Sequence, residues 1–124
     1  MSALLTIEEH GVGDVTILRL SGRLELDAGD LALRSCIDQL VEQDRNRIVL
    51  DMRGVTRMDS AGIGMLVGKY LSVRRRGGTI KLLNLTARSN RLMDITKLIS
   101  VFETYQDEDE AVRSFSQVTT GEDG

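Results

Sequence analysis

The sequence predicts a single α/β domain: a mostly parallel central sheet with an antiparallel N-terminal hairpin and helices packed around it, in the order β-β-α-β-α-β-α-β-α. Three observations carry this reading. Two alternating apolar-polar runs stand side by side near the start, a short continuous apolar run sits in the middle, and helical stripes of apolar residues separate the strand candidates. Strands alternating with helices imply right-handed crossovers and a largely parallel sheet. The length of 124 residues is that of one ordinary domain, and 41% hydrophobic with 28% charged residues is enough to build a core. The domain is read as residues 1–118, with 119–124 as a flexible tail.

Leu5-Thr6-Ile7-Glu8 alternates apolar and polar, Gly11-Val12-Gly13 breaks the run, and Val15-Thr16-Ile17-Leu18-Arg19-Leu20 alternates again, which is a hairpin pattern. Beyond Gly22, Asp27 is a candidate N-cap for a helix in which Leu33, Ile37, Leu40 and Val41 recur at spacings of three and four. Cys36 borders that stripe and reads as a small buried residue. Ile48-Val49-Leu50 is continuous and apolar, as a strand covered on both faces requires. A second helix is expected from about Ser60 to about Arg76, with Ile63, Leu66, Val67, Tyr70 and Leu71 inward and Gly77-Gly78 as its stop. Thr79 to Leu83 is the next strand, residues 87–98 a third helix with Leu92, Met93, Ile95 and Leu98 in the core, and Val101-Phe102 a short strand or extended piece. Asp107 to Phe115 closes the chain as a helix whose acidic first turn suits the helix dipole, just as Arg74-Arg75-Arg76 suits the other end of its own helix.

Composition removes several functions. One cysteine allows no internal disulfide, and with one histidine it leaves too few soft ligands for a structural zinc. No apolar stretch approaches the roughly 20 residues that span a bilayer, and Leu4-Leu5 runs into Glu8-Glu9 before a secretory segment develops. The cytoplasm is the expected compartment, without direct membrane insertion. Residues 45–97 hold 12 basic and 3 acidic side chains, against 3 and 9 in residues 1–44 and 1 and 7 in residues 98–124. Acidic flanks lie within a Debye length or two of the basic middle in so small a domain, which argues against a nucleic-acid face. Aromatic residues amount to 3%, too few for base-stacking platforms.

The most informative stretch is Met58-Asp59-Ser60-Ala61-Gly62-Ile63-Gly64 and its continuation to Gly68. It puts a hydroxyl where a helix begins, and Ser60 as N-cap would accept a free backbone N–H, a contribution of about 1 kcal/mol. Gly62, Gly64 and Gly68 oppose the helix by roughly 1 kcal/mol each relative to alanine. The missing Cβ atoms let the helix sit close to the sheet or leave a smooth surface for another protein, and both roles fit together, since Gly64 and Gly68 lie four apart on one face while Gly62 points elsewhere. Enzyme motifs do not fit. Met58 occupies the first glycine position of a nucleophile elbow. Five residues instead of four separate Gly62 from Gly68-Lys69, and Tyr70 follows where a P-loop needs Ser or Thr. A dinucleotide fingerprint would need glycine at Val67, and a Ser-His-Asp triad would have to recruit His10 from the first strand or its turn. No cofactor and no autonomous catalysis are expected.

This signature, preceded by Ile48 to Asp51 and followed by Leu66-Val67-Gly68, resembles that of STAS-domain anti-sigma factor antagonists. Leu20-Ser21-Gly22-Arg23-Leu24, Gly77-Gly78-Thr79-Ile80-Lys81-Leu82 and Leu98-Ile99-Ser100-Val101-Phe102 extend the resemblance over roughly residues 4 to 117. It implies that Ser60 is phosphorylated by a partner anti-sigma factor that is a serine kinase and brings its own ATP. A metal-dependent serine phosphatase would reverse the reaction. It also implies a partner-binding surface of Glu25, Asp27, Asp59, Ser60, Ala61, Gly62, Ile63 and Gly64. Where such antagonists often carry Gly-Glu-Leu-Asp, this chain has Gly22-Arg23-Leu24-Glu25, a departure that bears on the kinase partner more than on the fold. STAS domains also serve stressosome scaffolds, anion-transporter tails and lipid-transport complexes of the ABC type, so a non-catalytic subunit of such a complex is the alternative.

Overall fold

Strands β1 (Leu5–Val12) and β2 (Val15–Leu24) form the expected antiparallel hairpin, turning at Gly13-Asp14 with Gly13 at φ 61°. The computed structural model describes residues 5–26, 29–86 and 101–123, with side chains as far as Ser116. Helix α1 (Asp30–Glu42) leads to β3 (Arg47–Met58), α2 (Ser60–Arg75) to β4 (Thr79–Leu83), and β5 (Thr104–Tyr105) to α3 (Glu108–Asp123). The sheet runs β1-β2-β3-β4-β5, parallel from β2 onward. The helix expected over 87–98, with Leu92, Met93, Ile95 and Leu98, lies outside the described residues, as does Asp27.

Alternation along the strands sends Leu18, Leu20, Ile48, Leu50, Ile80 and Leu82 to one face, where Leu33, Ile37 and Leu40 of α1 and Ile63, Leu66 and Val73 of α2 cover them. Val15, Ile17, Val49 and Leu83 point the other way and pack on Ala111 and Phe115 of α3. The continuous apolar run of β3 is therefore needed because helices cover both of its faces.

Four expectations about the elements need correction. The N-cap of α1 is Gly29 at φ 104°, without a side-chain cap, and not Asp27; a Cβ at Gly29 would collide with Arg23 and Leu5. Leu71 is 47% exposed, while Met65 and Val73 are buried, because the inward stripe advances by three and four from Gly62 and passes Leu71 by. The fifth strand is Thr104–Tyr105 and not Val101-Phe102. Phe102 is buried as a core plug, its ring edge-on to Tyr70 at 5.0 Å, and pairing with β4 begins only at the Glu103 carbonyl. The closing helix continues past Phe115 to Asp123, and the Asp107 carboxylate accepts the Asp109 N–H at its start.

The stop at Gly77-Gly78 is as expected. The Gly77 N–H donates to the Arg74 carbonyl and the Gly78 N–H to that of Val73, with Gly77 at φ 87°, the paired bonds that close a helix through a left-handed residue. Cys36 is half-buried against the core, and burial, with Glu9 nearby, pushes its thiol pKa up. Lys81 was not singled out by its sequence position. It is 1% exposed, and its ammonium donates to Ser114 Oγ at 2.7 Å, pairs with Glu103 at 3.0 Å and sits 4.3 Å from the Phe115 ring centre, fastening α3 to β4.

Candidate functional site

Ser60 stands where the chain turns from the C-terminal end of β3 into α2, the end of a parallel strand pair at which open α/β sheets present their loops. Asp59 makes the turn. Its backbone is extended (φ −115°, ψ −178°), its Oδ1 accepts the Gly62 N–H at 2.9 Å, and its Oδ2 accepts the Leu26 N–H at 3.2 Å. Asp59, not Ser60, is thus the N-cap. Both residue types cap well, but a carboxylate has two oxygens, and here each serves a donor from a different segment. Relieved of capping, Ser60 is the first residue of α2 and is exposed.

The three glycines divide between the two roles open to them. A Cβ on Gly62 would drive into the Leu24 carbonyl oxygen and lie 3.1 Å from its carbon, so the first turn of α2 rests on the last residue of β2. At Gly64 and Gly68 a Cβ would meet nothing within 4 Å. Gly62 therefore seats the helix and holds Ser60 outward, while Gly64 and Gly68, both exposed, leave bare backbone on the surface.

Of the expected partner-binding residues, Glu25, Asp59, Ser60, Ala61 and Gly64 come together at this end of the sheet. Ile63 does not join them: it is 2% exposed and belongs to the core, and Gly62 faces Leu24, so neither presents a side chain to a partner. Helical spacing is the reason, since residues 62 and 63 lie on the inward stripe that continues to 65 and 66. Glu25 is held between two cations, its Oε2 accepting Arg57 Nε–H at 3.1 Å and its Oε1 lying 3.8 Å from Arg23 Nε. Sequence reasoning missed this pairing, because the register that sets Arg23 opposite Arg57 follows a shift between Gly22 and Arg23. It also missed Leu26 and Leu31, which are 64% and 58% exposed and put apolar surface at the start of α1. Among the described residues no group of three His, Cys, Asp or Glu side chains is placed to hold a metal ion.

Hydrogen bonds, first from the Gly62 N–H and also from those of Leu26 and Ala61, hold Asp59 below the usual carboxylate range in spite of partial burial. A depressed carboxylate pKa contributes stability that is present above the unfolded value near 3.9 and lost as pH falls through the folded value. The start of α2 is therefore expected to loosen only in acid below about pH 4. Asp59→Ala should lower stability by about 1 kcal/mol at neutral pH and accelerate amide exchange at Gly62 and Leu26, while Asp59→Asn retains most of both. Urea denaturation and hydrogen-exchange NMR check this, and unchanged exchange at Leu26 in Asp59→Ala would contradict the double role.

The STAS domain model matches residues 6–111. An anti-sigma F factor antagonist from Paenibacillus polymyxa is 28% identical, over 90% of this chain and 94% of its own length. An anti-sigma-B factor antagonist of Bacillus subtilis (strain 168) is 33% identical, over 69% of this chain and 77% of its own. Among solved structures, the Bacillus cell fate determinant SpoIIAA in its phosphorylated form aligns at a TM-score of 0.69 with 21% identity, covering 89% of this chain and 99% of that one, a likeness of fold.

Proposed function

This chain belongs to the STAS domain family, and from that premise we propose that it is an anti-sigma factor antagonist switched by phosphorylation of Ser60. Unmodified, it binds an anti-sigma factor serine kinase and so frees a sigma factor. The kinase transfers the γ-phosphoryl group of its ATP to Ser60 Oγ, ADP leaves, and the modified chain lets go. A metal-dependent phosphatase hydrolyses the ester and restores binding. The chain itself catalyses nothing in this cycle and works in the cytoplasm, where sigma factors and ATP are found.

One observation carries the reading: Ser60 is exposed at the first position of α2 while Asp59 does the capping. A phosphate there adds about −1.5 to −2 charges without removing any bond that holds the helix. The free N–H groups and dipole of α2 favour an anion at that end, so the fold tolerates the modification. A partner docked over Ser60, the open backbone at Gly64 and Gly68, and the exposed side chains of Leu26 and Leu31 meets a dianion where it packed against a hydroxyl. Burying that charge unpaired opposes binding by several kcal/mol. Incubation with the cognate serine kinase and ATP, followed by intact mass measurement, should add one phosphate to the parent chain and none to Ser60→Ala. A parent chain that stays unmodified, or a phosphate that also appears on Ser60→Ala, would overturn the assignment.

A further inference from the structure

Phosphorylation of Ser60, on the reading just given, puts a dianion three residues from Arg57, a member of a cluster that has two cations and one half-buried anion to share between them. Arg57 and Arg23 both turn to Glu25, whose side chain is 20% exposed, while the arginines are 61% and 45% exposed. Asp59 accepts the N–H groups of Gly62 and Leu26, and among the described residues the ion pairs of both arginines go to Glu25. Arg57 precedes Ser60 by three residues, a chain path of at most about 11 Å that a long arginine side chain and a phosphoserine span from opposite ends. Ion pairs this exposed are weak, so little keeps Arg57 on Glu25.

We infer that Arg57, assisted by Arg23, captures the phosphate of modified Ser60 and gives up Glu25. A phosphate brings close to two negative charges and three acceptor oxygens against the single charge of the carboxylate, and guanidinium groups bind it in a two-pronged geometry. Modification then alters the surface in two places beyond the serine: a guanidinium is drawn toward α2, and the Glu25 carboxylate is released at the start of the loop leading to α1.

The test uses the full chain with phosphoserine installed at position 60 during synthesis, which involves no kinase. Titration followed by phosphorus NMR should find the phosphoserine losing its second proton at lower pH in the parent chain than in Arg57→Gln, with Arg23→Gln between the two. The Arg57 Nε–H resonance should move between the unmodified and modified parent chains. The N–H groups of α2 are present in every variant, so their effect cancels from the comparison. Arg57→Gln, altering an exposed side chain, should keep the parent's amide spectrum before modification. Equal midpoints in parent and Arg57→Gln, with an unmoved Nε–H resonance, would overturn the capture and leave the kinase assignment untouched. Failure of the kinase assay would in turn leave this measurement standing.

Discussion

Ser60→Asp is expected to weaken binding to the anti-sigma factor by at least about a hundredfold, equivalent to roughly 2.7 kcal/mol, while the Tm stays close to that of the parent. The two halves of this expectation have separate causes. Stability is preserved because the substituted position is the first of α2, where a carboxylate meets a favourable dipole worth about 0.3 to 1 kcal/mol, and because the capping bond to Gly62 belongs to Asp59. Binding is lost because a charge is introduced at an exposed point that a partner must cover and desolvate. Ser60→Ala separates charge from hydroxyl: it should bind nearly as the parent does and accept no phosphate. Titration calorimetry and thermal denaturation of the three proteins read both halves, and a Ser60→Asp protein that binds as tightly as the parent would refute the charge argument.

Gly62→Ala is expected to lower stability by about 1 to 3 kcal/mol even though alanine is the better helix former. The added methyl would have to push back the Leu24 carbonyl, which is backbone at the end of a central strand and not the movable tip of a side chain. Gly64→Ala and Gly68→Ala should have the opposite sign, gaining up to about 1 kcal/mol each, since their Cβ atoms enter open space. If Gly64 and Gly68 are kept bare for a partner, the same two substitutions should weaken binding while stabilising the free chain. Urea denaturation of the three variants tests the division. Equal stability of Gly62→Ala and Gly64→Ala would show that α2 does not rest on β2 as described.

Much of this architecture is legible in the residues because one-dimensional patterns suffice for it. Alternation marks the hairpin, the run Ile48 to Leu50 marks a strand covered twice, and Gly77-Gly78 marks the end of α2 through the left-handed conformation of Gly77. The errors arise where a neighbour distant in sequence decides the outcome. Ser60 and Asp59 are equally good caps until the Leu26 N–H, brought over by β2, gives the carboxylate a second donor. Phe102 has strand character until Tyr70 offers it a place in the core. Leu71 fits a plausible stripe until the sheet selects the face through Gly62 and Val73. The Arg23-Glu25-Arg57 cluster depends on a register shift that nothing local announces. The signature marks a candidate site in the sequence, but the division of labour within it, with capping by Asp59, seating by Gly62 and exposure of Ser60, is set only in the third dimension.

A phosphate on Ser60 is expected to abolish recognition and spare the fold. The most direct measurement is calorimetric titration of one anti-sigma factor with the unmodified chain and with the chain phosphorylated at Ser60, each first checked by thermal denaturation. The expected result is binding by the unmodified form, affinity at least about a hundredfold lower for the phosphorylated form, and nearly coincident melting curves. Equal affinities, or a loss of affinity accompanied by unfolding, would contradict it.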